Sequence, residues 1–189
     1  MSNFYAVGEI NPAMATSFFR GAAGRFITDV VISSQGGDVG LAFGMFDVIK
    51  FQDINTHVVG LAQSAAAVLL QAGRRRTMTN GSLLLFHRPE EGVSDQEFRL
   101  FTQLVETVSQ RIKMQFIEAV GLFDNKFINA NRALELGLID EIAEDVKVMR
   151  WIDGESNRDR QSEKPSEQLR YPLREGSTSE SEARPEDPA

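Results

Sequence analysis

The chain has 189 residues, 42% of them hydrophobic, and a formal charge of −7. That length supports one domain with a real core and some surplus, and the acidic balance offers no basic face to neutralise phosphates, which argues against nucleic acid as a partner. The sequence contains no cysteine, which excludes disulfides and thiolate metal sites, and its two histidines, His57 and His87, are too few for a histidine-rich metal centre.

No run approaches the length of a membrane span. The first residues, Met-Ser-Asn-Phe-Tyr, lack a charged-then-apolar signal pattern. The expectation is a soluble, cytoplasmic protein with no metal and no cofactor. Composition shifts near residue 153. Residues 153–189 are Ser, Glu, Arg and Pro with few apolar side chains, and four of the six prolines lie there. Such a segment buries too little apolar surface to offset the entropy of ordering. The reading is a folded domain over 1–152 and a disordered acidic tail over 153–189.

Phe4–Ile10 is a short strand. Asn11-Pro12 opens a helix with a capping side chain followed by proline in the first turn, and that helix runs to about Gly21. Phe26–Ile32 is the next strand, apolar enough to be covered on both faces. Ser33-Ser34-Gln35-Gly36-Gly37-Asp38 follows. Two glycines here permit positive φ and close backbone approach. The turn reads either as a tight connection with Asp38 capping the next helix, or as an amide-lined cradle for an anion or an extended peptide. The helix over about 39–50 carries Val39, Phe43, Phe46 and Ile49 on one side.

Thr56–Gly60 is an apolar strand, and the segment to Gly73 continues as a helix of small and apolar residues. Ser64 sits at the turn between them. It reads as an ordinary N-cap, or as a hydroxyl presented at the sheet edge beside unpaired first-turn amides, an arrangement that suits acyl transfer. Arg74-Arg75-Arg76 reads as a solvated turn, or as partners for acidic residues between subunits. Thr77–Thr79 is a short strand, Asn80-Gly81 a hairpin-type turn, and Ser82–Phe86 a buried strand ending at His87. A strand end is where site residues gather in an α/β sheet, and histidine is suited to act as a base near neutral pH. His57 lies inside a strand and reads as structural or exposed.

Ser94–Val120 predicts one long helix with a narrow stripe of Phe98, Phe101, Val105, Val108 and Ile112. It is either a core helix or one that projects to pack on a partner subunit. Gly121–Lys126 is a connection, Ala130–Leu136 a helix ended by Gly137, and Leu138–Ile142 the last main strand. Val146–Ile152 adds a short edge. Strand and helix alternate throughout, so the fold class is α/β with a mostly parallel sheet.

Four pieces of this sequence resemble, in order, the proteolytic subunit of the Clp protease. Ile32-Ser-Ser-Gln-Gly-Gly-Asp38 is similar to that family's Asn-Ser-Pro-Gly-Gly turn. Gly60-Leu-Ala-Gln-Ser-Ala-Ala-Ala-Val-Leu-Leu70 is similar to its nucleophile segment, with the serine in register. Leu84-Leu-Phe-His-Arg-Pro89 matches its Met-Ile-His-Gln-Pro signature. Ala130-Asn-Arg-Ala-Leu-Glu-Leu-Gly-Leu-Ile-Asp140 resembles its Ala-x-Glu-Ala-x-x-Tyr-Gly-Leu-Val-Asp. The likeness covers about residues 4–145.

The resemblance implies a crotonase-like fold of repeated β-β-α units with a protruding handle helix. It implies Ser64 as nucleophile, His87 as general base, and an oxyanion hole from the amides of Gly37 and Ala65. It also implies a polypeptide substrate and a homo-oligomeric ring, heptameric or stacked. The chain departs from the family at the third triad position. Counting back from Phe127, the family's Asp is replaced by Asn125, and the preceding helix is shortened. Either Asn125 orients His87 through its amide oxygen, or the neighbouring Asp124 does. The family's N-terminal axial segment, which couples the ring to an AAA+ ATPase, has no counterpart before the first strand. That difference points to a stand-alone or phage-type member, in host cytoplasm if phage-encoded. The competing expectations are a catalytically weak or inactive subunit of a ring or capsid-type assembly, and an acyl-CoA enzyme on the same fold.

Overall fold

The computed structural model describes residues 2–89 and 94–143. The tail expected over 153–189 and the edge strand expected over 146–152 lie outside the described residues. The chain begins with β1 (Ser2–Ile10), α1 (Pro12–Ala23), β2 (Ile27–Gly37), α2 (Val39–Phe51) and β3 (Asn55–Gln63). Then come α3 (Ala65–Leu70), β4 (Arg76–Thr79), β5 (Leu83–His87) and α4 (Asp95–Ile112). It continues through α5 (Phe116–Val120), a 3₁₀ turn, β6 (Asp124–Asn129), α6 (Ala130–Glu135) and β7 (Glu141–Ala143).

Local chemistry starts the helices where expected. Met14 N–H donates to Asn11 Oδ1 at 3.0 Å, ahead of a helix that has Pro12 in its first turn. Leu41 N–H donates to Asp38 Oδ1 at 2.9 Å, so Asp38 does cap α2. α1 buries Ala15, Phe18 and Ala22, and α2 buries Ala42, Met45, Phe46 and Ile49. Every residue of α3 is buried. Burying whole Leu and Val side chains at roughly 1.5–3 kcal/mol each makes this short helix a centre of the core.

The sheet runs β1-β2-β3-β4-β7, all parallel. β5 joins it beside β3, also parallel, and pairs with β6 antiparallel. This corrects the hairpin expected at Asn80-Gly81. β4 pairs with Thr56–Val58 and β5 with Leu61–Gln63, so the chain keeps its direction and sidesteps along β3. The dipeptide marks a turn in both cases; what differs is the exit direction, which β3 dictates.

The single helix expected over 94–120 is two. Lys113 has φ +56°, Ser109 Oγ donates to Met114 O at 2.7 Å, and Met114 N–H donates to Ser109 O at 3.0 Å. These bonds close α4 before α5 begins. Val105 and Val108 of the expected stripe are fully buried, while Phe98 is exposed. β6 was not expected at all.

Candidate active site

Ser64 joins the end of β3 to the start of α3 with φ +56° and ψ −127°. A non-glycine residue pays about 1–3 kcal/mol for such a conformation and keeps it only where its surroundings fix it. Here they do. Ser64 N–H donates to Leu85 O at 2.8 Å, and Ser64 O accepts from Ala67 N–H at 3.0 Å. The side chain makes no capping hydrogen bond, so the hydroxyl is not an N-cap, and the half-buried serine presents it at the sheet edge.

The Gly-Gly turn lies against this serine. A Cβ on Gly36, at φ +97°, would come within 2.7 Å of Gln63 O and 2.9 Å of Ser64 Cβ. Gly36 N–H is held by Ser34 Oγ at 3.0 Å. Gly37 has φ +144° and packs on the other side, where a Cβ would meet Ile10 O at 2.4 Å. Asp38 N–H donates to Ile10 O at 2.8 Å. Ala65 is the first residue of α3, and the first amides of a helix have no partner within it.

His87 ends β5. The register Leu61↔Leu83, Ala62↔Leu84, Gln63↔Leu85 puts Ser64, just past β3, and His87, the last residue of β5, at the same end of adjacent parallel strands. His87 Nδ1 is 2.9 Å from Arg88 O. A carbonyl only accepts, so Nδ1 is the donor in this contact, and in the neutral ring that leaves the lone pair on Nε2. Neither residue expected to orient the ring is bonded to it. Asp124 faces His87 in the β5–β6 pairing, yet its Oδ1 accepts from the Arg88 guanidinium at 2.7 Å. Asn125 is exposed, with φ +57°.

A second polar cluster occupies the opposite end of the same strands. His57 is buried, with Nδ1 2.8 Å from Thr77 Oγ1 and Nε2 2.8 Å from Asp29 Oδ1. Asn55 Nδ2 donates to Asp29 Oδ1 at 3.1 Å and Thr28 Oγ1 to Asp29 Oδ2 at 2.7 Å. Burial pushes the Asp29 carboxyl up, but the hydrogen bonds from His57, Thr28 and Asn55 outweigh it and hold the group at about 2. His57 is therefore structural, a strut between β2 and β4. The signal for it was Asp29, an acid inside an otherwise apolar strand.

Two of the three arginines of the run pair within the chain. Arg75 pairs with Glu141. Arg76 is buried and forks onto Asp140, with Nη2 at 2.5 Å from Oδ1 and Nε at 3.1 Å from Oδ2, while Nη1 reaches Gln71 Oε1 at 2.9 Å and Gly137 O at 2.8 Å. Burial raises the Asp140 carboxyl, and the bonds from Arg76 more than reverse this and leave it lowered. Among the described residues no group of acids and histidines could hold a metal ion, and no helix is long and apolar enough to cross a membrane.

Known proteins resemble this chain in sequence and in fold. Residues 27–146 match the Clp protease family. The ATP-dependent Clp protease proteolytic subunit 2 of Treponema denticola is 31% identical over 62% of this chain and 66% of its own length. The ATP-dependent Clp protease proteolytic subunit 1 of Cutibacterium acnes is 31% identical over 59% of each. The chain thus spans just under two thirds, or less, of these curated relatives. The crystal structure of the ClpP protease catalytic domain from Plasmodium falciparum superposes with a TM-score of 0.68 at 23% identity, covering 76% of this chain and 85% of that one, a likeness of fold.

Proposed function

Because the chain belongs to the Clp protease family, we propose that it is a serine endopeptidase with Ser64 as nucleophile and His87 as general base. The observation that carries this is Ser64 itself, held at positive φ without a capping bond, at the same sheet end as His87. In this reading Ser64 Oγ attacks the scissile carbonyl while His87 Nε2 takes its proton. The amides of Gly37 and Ala65 stabilise the tetrahedral oxyanion. The C–N bond then breaks, and His87 returns the proton to the departing amine. Water, deprotonated by His87, hydrolyses the acyl-enzyme and restores Ser64.

The substrate in this proposal is a polypeptide, and the working form is a ring of identical subunits. The two curated relatives are named ATP-dependent, which supports an AAA+ ATPase as partner of this chain against the stand-alone expectation from its sequence. That step is tested by whether such an unfoldase speeds hydrolysis of a folded protein more than of a short peptide. A second reading, a ring or capsid-type subunit of weak or no activity, is favoured by one observation. Neither Asn125 nor Asp124 is bonded to His87, and in chymotrypsin-type triads an Asp→Asn change at this position lowers turnover about 10⁴-fold.

Intact mass after treatment with a fluorophosphonate separates the two, since the reagent modifies activated serines. A single adduct, absent from Ser64→Ala, is the expected result. No adduct from a folded, assembled sample would leave the subunit reading standing.

A further inference from the structure

Arg88 touches both groups on which the strength of His87 depends. Its carbonyl oxygen lies 2.9 Å from His87 Nδ1, and its guanidinium holds Asp124 Oδ1 at 2.7 Å. A carbonyl fixes the tautomer and orientation of an imidazole, but being neutral it stabilises the imidazolium formed in acyl transfer less than a carboxylate does. The carboxylate that could supply that charge stands directly across the β5–β6 ladder from His87, engaged elsewhere. We propose that Arg88 is a positioning residue that sets how strong a base His87 is, orienting the ring with its carbonyl and withholding the Asp124 carboxylate with its guanidinium.

The inference rests on the reading of Ser64 and His87 as nucleophile and base. The withholding contact is weak. The side chains of Arg88 and Asp124 are 54% and 40% exposed, and exposed pairs of this kind contribute little and are screened by salt. The strand pairing keeps Asp124 beside His87 whichever partner it takes, so losing the guanidinium transfers the carboxylate rather than dispersing it.

Arg88→Gln tests this, since glutamine retains the backbone carbonyl and removes the charge from an exposed position. The rate of fluorophosphonate labelling rises roughly three- to fivefold, the scale of an exposed ion pair. Added salt narrows the gap between wild type and variant, since it loosens the Arg88–Asp124 pair in one and screens the Asp124–His87 pair in the other. The acid limb of the rate profile moves to higher pH in the variant, because a neighbouring carboxylate favours the imidazolium. Asp124→Asn added to Arg88→Gln removes both the gain and the shift. Labelling at or below the wild-type rate, with the limb unmoved, overturns the proposal. A proton NMR readout in the Ser64→Ala background is independent of acyl chemistry: the His87 ring N–H moves downfield on Arg88→Gln when its acceptor becomes a carboxylate. If no variant labels, the protease reading falls, and an unmoved ring N–H overturns the Arg88 proposal.

Discussion

Gly36 shows how tightly the serine is held in place. Its φ of +97° and the 2.7 Å that would separate a Cβ from Gln63 O both exclude a side chain. Gly36→Ala is expected to cost about 2–3 kcal/mol through strain at a special φ/ψ and to abolish labelling of Ser64, because the added methyl displaces that residue. Gly121→Ala, where a Cβ meets nothing within 4 Å and φ is −64°, stays within about 0.5 kcal/mol in the same denaturant titration. Equal effects at the two positions would contradict the account. Asp29 gives a prediction in pH. Its folded pKa of about 2 lies below the ordinary 3.8, so the contribution is fully present above pH 4 and is lost as pH falls from 4 toward 2. With solvent screening of a partly exposed group, about 1 kcal/mol goes in that window. Asp29→Asn flattens the stability profile there, and a variant with the wild-type slope would assign the acid loss to other carboxylates. Ser64, His87 and the Gly-Gly turn were legible in the sequence because each sits at an apolar strand's end. The partner of His87 was not, since it is a main-chain carbonyl that any residue at position 88 would supply.

At the scale of elements, β1 to β3 with α1 and α2 follow directly from apolar runs and capping pairs, and the structure moves their ends by a few residues. β6 was illegible. Asp124-Asn125-Lys126-Phe127-Ile128-Asn129 carries one buried side chain, Ile128, so no period of two announces it. Its strand character comes from pairing with β5, a tertiary cause that outranks local propensity. The Arg76–Asp140 fork has a comparable role at the far edge, tying the start of β4 to the turn before β7. Two of its bonds reach Asp140 and two others reach Gln71 and Gly137 O. Arg76→Met is therefore expected to destabilise by about 3 kcal/mol, since it strands the Asp140 carboxylate and two neutral acceptors at once. Arg75→Met, which removes a half-exposed pair, costs less than about 1 kcal/mol. Chemical denaturation of the two variants side by side checks the ratio, and parity between them would make the Arg76 network ornamental.

At the scale of the whole molecule, the alternation of strand and helix made the α/β class readable, and the ordered motifs made the family readable. The surface around α4, α5 and β6 was not readable, because the expected single helix ends at Lys113, and Phe98, at the other end of the expected stripe, lies exposed. Phe98 is 59%, Ile117 77% and Phe127 60% exposed, one large apolar group each on α4, α5 and β6. Scattered exposed apolar residues are ordinary, and these three stand on neighbouring elements of the chain. A second copy of this chain is the occupant that the proposed ring supplies. Sedimentation at micromolar concentration is expected to show an oligomer, and Ile117→Asp to shift it toward smaller species while leaving the fold intact, because that side chain contributes little to the core. If the ring also steadies the β5–β6 edge, fluorophosphonate labelling of Ser64 falls in parallel with the loss of assembly. A monomeric wild type that labels at full rate would separate assembly from activity.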